Sequence, residues 1–297
     1  MKKNYLLLAF LFVIIIIAGC GSSKEQKEIA EEKPVQQLFK LEYKLKPGDL
    51  LNYKMKTNVK QIISMMGQEQ VINISTSQNI IINVLEELSD GNYKVEFYSD
   101  SLTIDSDNPQ ISNMIGDFSY MVRKKCSAIL QKNGVVKDIT EIDKIEIPEK
   151  MKQLSDQFNP KKTFSKFLLV LPDEEIGIGY TWDEPKDDIV DNMGNKINVK
   201  SNANYRIAEI VKHQGFDVFK IASVLNLEMN GKGSQMGQEF NISGKGKADS
   251  EYFFAKDDGK LISYKVEQSN DTNAEVIGMG MTIPMTTITL TTLELVQ

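Results

Sequence analysis

Apolar or β-branched side chains recur at every second position over stretches far longer than an ordinary strand, and this constrains the fold more than any other feature of the chain. Leu51, Tyr53, Met55, Thr57 and Val59 alternate with polar or charged neighbours, and Ile72, Ile74, Ile80, Ile82 and Val84 do the same on the next segment. A period of two puts successive side chains on opposite faces of an extended backbone, whereas a helix needs a period near 3.6. The pattern recurs from Gly91 to Ile104, from Phe118 to Leu130 and several times after Gly179. Between the runs stand Asp90-Gly91, Asn133-Gly134, Met193-Gly194-Asn195, Gln214-Gly215 and Asp258-Gly259. Glycine accepts the positive φ that tight hairpins require. The expected fold class is mainly β, an antiparallel sheet built largely from hairpins.

The pattern is written twice. "VLEELSDGNYKV" at 84–95 lies over "IAEIVKHQGFDV" at 207–218 without a gap, and "QKNGVV" at 131–136 falls over "KDDGKL" at 256–261 at nearly the same offset. Two related multi-stranded repeats are expected, at about 38–141 and 176–297, within one β-rich domain spanning 38–297. Between them the period changes: Ile147, Met151, Leu154 and Phe158 sit at helical spacing. Asn159-Pro160 then offers an N-cap and a first-turn proline ahead of Phe164, Phe167, Leu168 and Val170. A short helical insert is expected at about 142–172.

Strands of a dozen residues or more, against a usual five or six, must twist and curl when roughly ten of them share a sheet. The inner face is apolar and needs cover, and only the helical insert offers any. Two arrangements satisfy this. The sheet closes nearly into a barrel around its own side chains, or it stays a long-stranded, strongly curved half-barrel with the insert as lid over a hydrophobic cavity. Met55, Ile82, Phe97, Phe164, Phe167, Trp182 and Met281 are the candidate lining of such a cavity. Flexible methionine thioethers suit irregular or lipid-like contents, and they equally suit ordinary core filling.

The N-terminus carries an address. Lys2 and Lys3 precede an unbroken apolar run from Leu6 to Ile17, the layout of a secretory signal peptide at 1–19 and too short for a membrane-spanning helix. Ile17-Ala18-Gly19-Cys20 resembles the lipobox of bacterial lipoproteins. That resemblance implies a diacylglyceryl group on the Cys20 thiol, cleavage before Cys20 and acylation of the freed amine with a chain such as palmitate. Two or three acyl chains hold a protein on a bilayer where one does not. Residues 20–37 are charged and nearly devoid of apolar side chains, the composition of a tether spanning on the order of 20 Å. The expected location is the periplasmic or cell-surface side of a bacterial cell membrane or outer membrane. A net charge of −6 speaks against nucleic acid as a partner.

"LEYKLKPGDLLNYKM" at 41–55 and "VLPDEEIGIGYTW" at 170–182 resemble paired landmarks of an uncharacterised family of bacterial lipoproteins, in which a lipobox precedes a β-rich body and an "LP…G…W" motif opens its second half. Where that family shows Gly-Asp before the tryptophan, this chain has Gly179-Tyr180-Thr181-Trp182. More distantly, a long curved sheet with a helical insert is similar in outline to periplasmic lipoprotein carriers of the LolA and LppX type. The resemblance implies an exported lipoprotein that holds hydrophobic molecules, and it brings no catalytic residues.

No reactive constellation competes with that expectation. His213 is the only histidine and falls in a hairpin turn. Cys126, the one cysteine beyond Cys20, shares a phase with Ala128 and Leu130 and is expected in the core. The acidic groups Asp105-Asp107, Asp173-Glu174-Glu175 and Asp187-Asp188-Asp191 lack the glycine placement of a calcium loop and read as surface charge. Trp182 is expected to anchor its strand. No metal, cofactor or enzymatic activity is expected. The partners expected are a lipid bilayer through the acyl anchor and a lipid or other hydrophobic molecule. The alternative is a structural or protein-interaction module of the cell envelope, with a filled core and an envelope protein as partner.

Overall fold

Alternation in the sequence becomes alternation in burial along strands that run up to 20 residues. The structure is a computed structural model and describes residues 37–296 apart from 66, 110–111, 113–117, 149–159, 166, 193–194 and 236–237. The described strands are β1 (Phe39–Lys40), β2 (Leu50–Met65), β3 (Gln68–Glu87), β4 (Tyr93–Ser106), β5 (Cys126–Leu130), β6 (Val136–Glu141), β7 (Glu175–Ile176), β8 (Thr181–Asn192), β9 (Asn195–His213), β10 (Phe216–Gln235), β11 (Gln238–Ala255), β12 (Leu261–Val276) and β13 (Met281–Val296). A short helix, α1 (Pro160–Phe164), lies among the described residues between the two sets of strands.

Eleven strands form one antiparallel sheet in the order β6-β5-β4-β3-β2-β13-β12-β11-β10-β9-β8, which does not close, so β6 and β8 are its edges. The fold is a long-stranded, strongly curved half-barrel. Along β2 the buried positions are Leu51, Tyr53, Met55, Thr57, Val59, Gln61 and Ile63, while Lys54, Lys56, Asn58 and Lys60 face solvent. A one-residue slip would turn that whole set outward, so burial of one face fixes the register. The register shifts by one extra residue at Leu85 in β3, Asp100 in β4, Ala208 in β9 and Ile262 in β12, and such bulges bend and twist a sheet.

Residues 84–95 span the β3–β4 hairpin and 207–218 the β9–β10 hairpin, while 131–136 and 256–261 carry the β5–β6 and β11–β12 turns. Gln214 and Gly215 both have positive φ, 49° and 87°, as a two-residue hairpin turn demands. The two short strands that precede the sets, β1 and β7, pair with each other through Phe39 opposite Ile176.

Two expectations are modified. The run Phe118–Leu130 is a strand only from Cys126: Ser119–Met121 forms a 3₁₀ turn and Arg123 takes φ 60°. Phe118 and Met121 are buried in a satellite cluster with Leu102, Ile104 and Ile145, so alternation there served a loop rather than a ladder. Of the helical insert, the described helical residues are Pro160–Phe164, after which the chain runs to Leu171 without regular structure. Met151, Leu154 and Phe158 lie outside the described residues, as do residues 1–36 with Ile17, Ala18, Gly19 and Cys20. No helix among the described residues is long and apolar enough to cross a membrane.

Candidate functional site

The concave face of the half-barrel divides along its length into three zones. At one end, the start of β2 and β12, the sheet is sealed by chain from outside it. Phe164 stacks on Phe97 with ring centroids 3.5 Å apart, and Phe167 meets Tyr53 edge-on at 5.2 Å. Leu168, Leu169 and Leu171 follow into the same cluster, and Leu41, Tyr43 and Leu45 lie beside them. Polar ties hold this plug as well. Tyr43 Oη donates to the Leu169 carbonyl at 3.0 Å, and the Leu171 amide to the Asn133 carbonyl at 2.8 Å. Tyr93 Oη donates to the Tyr43 carbonyl at 3.1 Å. Tyr53 Oη donates to the Leu261 carbonyl at 2.9 Å, and burial pushes this phenol well above its ordinary range.

The middle zone is polar although it is buried. Gln61, Thr287 and Asn270 face inward side by side on β2, β13 and β12, with Thr289, Gln268 and Thr272 in the rows on either side. Gln268 Nε2 donates to Asn270 Oδ1 at 3.0 Å, and Thr57 and Thr291 share a hydroxyl contact of 3.2 Å. Among the described residues Asn270 Nδ2 and Thr289 Oγ1 have no hydrogen-bond partner, with Asn270 only 2% and Thr289 4% exposed. Glycine makes room for this belt. A Cβ on Gly246 would stand 2.0 Å from Asn270 Oδ1, and one on Gly244 would stand 3.0 Å from Thr272 Oγ1. Beyond it the third zone is apolar again, with Ile63, Ile72, Met229, Phe240, Ile242, Ile283 and Met285 all buried.

The residues proposed from the sequence as a lining fall unevenly on this map. Met55, Ile82, Phe97, Phe164 and Phe167 are buried together around the plug. Trp182, on the edge strand β8, is partly buried and stacks on Tyr205 at 5.0 Å. Met281 stands at the far end, partly buried against the third zone. The polar belt was missed. Its signal was present in Gln268, Asn270 and Thr272, which occupy the inward phase of β12 where apolar side chains are expected, opposite a Gly-Lys-Gly-Lys run.

Groups with reactive side chains are held in structural roles. His213 Nε2 lies 2.8 Å from Ser263 Oγ and its ring stacks on Phe253 at 4.0 Å. The Cys126 thiol is buried, which, with Glu141 nearby, pushes its pKa up to about 11. Tyr180 donates to the Glu174 carboxylate, and desolvation first and that carboxylate second push its pKa up to about 12. Among the described residues no group of three His, Cys, Asp or Glu side chains is placed to hold a metal ion.

No family model matches the chain, and no curated protein does. Among solved structures it is similar to a crystal structure assigned to an outer membrane lipoprotein-sorting protein domain of Vibrio parahaemolyticus, at 8% identity over 82% of this chain and 83% of that one, with a TM-score of 0.13. It is also similar to a DUF1329 family protein of Desulfovibrio piger, at 10% identity over 82% of this chain and 84% of that one, with a TM-score of 0.12. At those scores the likeness carries no inference, and the concave face itself has to supply one.

Proposed function

We propose that this chain is a non-enzymatic, lipid-anchored protein of the bacterial cell envelope that binds an amphiphile along its concave face, taking it up when the plug Phe164–Leu171 moves aside. The observation that carries the reading is how the apolar face is completed. A curved sheet normally buries its inner face against a second layer. Here one end is closed by a short segment of which Phe164, Phe167, Leu168, Leu169 and Leu171 are buried in the half-barrel like a resident ligand. The belt supports the same reading. A buried donor without a partner costs about 1–3 kcal/mol. An ester or amide carbonyl of an acyl lipid is a group that Asn270 Nδ2 would bind, with Thr289 Oγ1 beside it. Cys20, behind the Ile17-Ala18-Gly19 motif, is the proposed acylation site and 20–37 the proposed tether.

Native mass spectrometry of the full-length protein, offered phospholipid and then stripped of free detergent, tests uptake directly. Phe164→Ala with Phe167→Ala should increase retention of lipid, or of an apolar dye, while the sheet stays folded. Retention by neither protein sinks the carrier reading.

One observation favours a second reading, a filled-core module that binds an envelope protein. Inward side chains from Ile72 and Ile82 to Ile197, Ile207 and Phe240 are entirely out of contact with solvent. Under that reading the plug double substitution loosens the fold without creating binding, and crosslinking in cells traps one defined protein.

A further inference from the structure

Asn270 belongs to a row that crosses the sheet through cross-strand partners: Gln61 on β2, Thr287 on β13, Asn270 on β12, Gly246 on β11, Leu227 on β10 and Ser201 on β9. None of these residues carries a charge. From β3 to β9 the same holds for every described strand position that faces inward at the level of the belt and of the third zone beyond it. On the strands, charge enters this face at the edge, where Lys186 on β8 ends the row of Asn270 and Glu184 the row beside it, and the two pair with each other at 3.2 Å. At about 4.8 Å per strand, Lys186 stands four strands and about 20 Å along the sheet from Asn270.

The carboxamide of Asn270 has a fixed sense. Its Oδ1 accepts from Gln268 Nε2 at 3.0 Å and lies against Gly246, which leaves Nδ2 as the donor without a partner among the described residues. Thr289 Oγ1, one row nearer the plug on the neighbouring strand, is in the same state. The row beyond is satisfied within itself, because Thr57 and Thr291 share their hydroxyls at 3.2 Å. What the belt lacks is an acceptor between Asn270 and Thr289, and no cation stands beside that place on the adjoining strands. A carboxylate or phosphate brought there would lose its hydration without gaining a counter-charge, a far greater cost than burying a neutral carbonyl.

Apolar wall continues on both sides of that point. Toward the third zone β12 runs about 20 Å from Asn270 to Val276, and toward the plug β2 runs about 26 Å from Gln61 to Tyr53. The hydrocarbon of a bilayer, two chains deep, is about 30 Å thick, so either wall is long enough for one fatty chain. An amphiphile with its polar group at one end needs one such wall and a polar mouth. A polar belt set between two walls matches a molecule whose polar linkage lies inside it.

We propose that the preferred ligand is a neutral two-armed lipid, an ester or amide with a fatty chain on each side of its carbonyl, and that Asn270 and Thr289 select it by donating to that carbonyl. This rests on the carrier reading and names a ligand class for it. A phospholipid carries the same ester carbonyls and is held when offered alone, but its phosphate finds no cation in the belt, so a neutral ester displaces it.

The test is native mass spectrometry of the full-length protein offered equal amounts of myristyl myristate, the alkane of equal length, myristate and phosphatidylglycerol. The ester should be retained about tenfold over the alkane and over either anion. Asn270→Asp keeps the shape and the bond from Gln268 but turns the free donor into an acceptor, and should bring the ester down to the level of the alkane. Thr289→Val, also isosteric, should lower the lead of the ester by a smaller factor. Three outcomes overturn the proposal and leave the carrier reading standing: equal retention of ester and alkane by the unmodified protein, displacement of the ester by phosphatidylglycerol or myristate, or an ester preference that survives both substitutions. If no lipid and no apolar dye is retained, both fall together.

Discussion

Gly134 and Gly259, in the two turns matched in sequence, both press bare backbone against chain that crosses the end of the half-barrel. A Cβ on Gly134 would stand 2.4 Å from the Leu169 carbonyl oxygen and 2.7 Å from the Tyr43 ring; one on Gly259 would stand 2.5 Å from the Glu42 carbonyl oxygen. Neighbouring amides of the strap, Tyr43 and Lys44, donate to Lys132 and Gly259 carbonyls in those turns, at 2.7 and 3.0 Å. One strap therefore ties both sets of strands and the plug together.

That contact predicts unequal costs among glycines that share a positive φ. Gly215 has φ 87° but nothing within 4 Å of the place a Cβ would take, so Gly215→Ala should lose only the conformational term, about 1 kcal/mol. Gly134→Ala and Gly259→Ala must also displace backbone and should each lose about 3 kcal/mol. Urea denaturation of the three variants gives the comparison, and equal losses would mean the strap yields freely.

The buried hydroxyls of β13 predict effects of opposite sign. Thr289 Oγ1 has no partner among the described residues, so the isosteric Thr289→Val should be neutral or stabilise by about 1 kcal/mol. Thr291 Oγ1 shares a contact with Thr57 Oγ1, and Thr291→Val leaves that hydroxyl stranded, destabilising by about 1 kcal/mol. Denaturation midpoints at constant m-value separate the two, and a loss at both positions would show that Thr289 is satisfied.

The β architecture was readable because a two-residue period carries its own register: Leu51 to Ile63 states which face of β2 is buried before any partner strand is known. The strand order was not readable from periodicity, because β13 joins β2 through pairs such as Thr291 with Thr57, far apart in the chain. Within the site, the aromatic plug was legible in the spacing of Phe164 and Phe167, whereas its seat against Phe97 and Tyr53 depends on tertiary curvature. Asn270 and Gly246 were opaque for a different reason: a polar residue in the inward phase weakens the alternation signal, and only the cross-strand register shows that a glycine faces it.

Raised pKa values set the alkaline limit. The folded Cys126 thiol sits at about 11 against an ordinary 9.0, Tyr180 at about 12 against 10.0, and burial raises Tyr53 and Tyr264 further. Each folded pKa lies above its unfolded value, so the unfolded state releases protons first as pH rises. Stability from these groups is fully present below about pH 9 and starts to fall there; the share of Cys126 and Tyr180 is lost through pH 11–12, while the buried Tyr53 and Tyr264 keep theirs to higher pH. Cys126→Ala should remove the portion of the decline that begins near pH 9 and leave the tyrosine portion, which begins near 10. Thermal melts at one-unit intervals from pH 7 to 12 check this, and a curve flat to pH 12 contradicts it.

The plug predicts a pattern in amide exchange. The Tyr43, Lys44 and Leu171 amides bond across to the turns, whereas amides in the middle of β2, β12 and β13 sit within continuous ladders. A segment joined to the sheet by turn bonds and side-chain packing, outside any continuous ladder, opens below the global free energy. Tyr43, Lys44 and Leu171 should therefore exchange together and before amides at the level of Thr57 and Thr291. Phe164→Ala deletes the ring stacked on Phe97, a loss of about 3 kcal/mol or more for a buried phenylalanine. If that loss falls on local opening, exchange at the three amides rises about a hundredfold while the mid-sheet amides keep their rates. Acceleration of every amide by one common factor would make plug and sheet a single cooperative unit, with no door for a ligand to use.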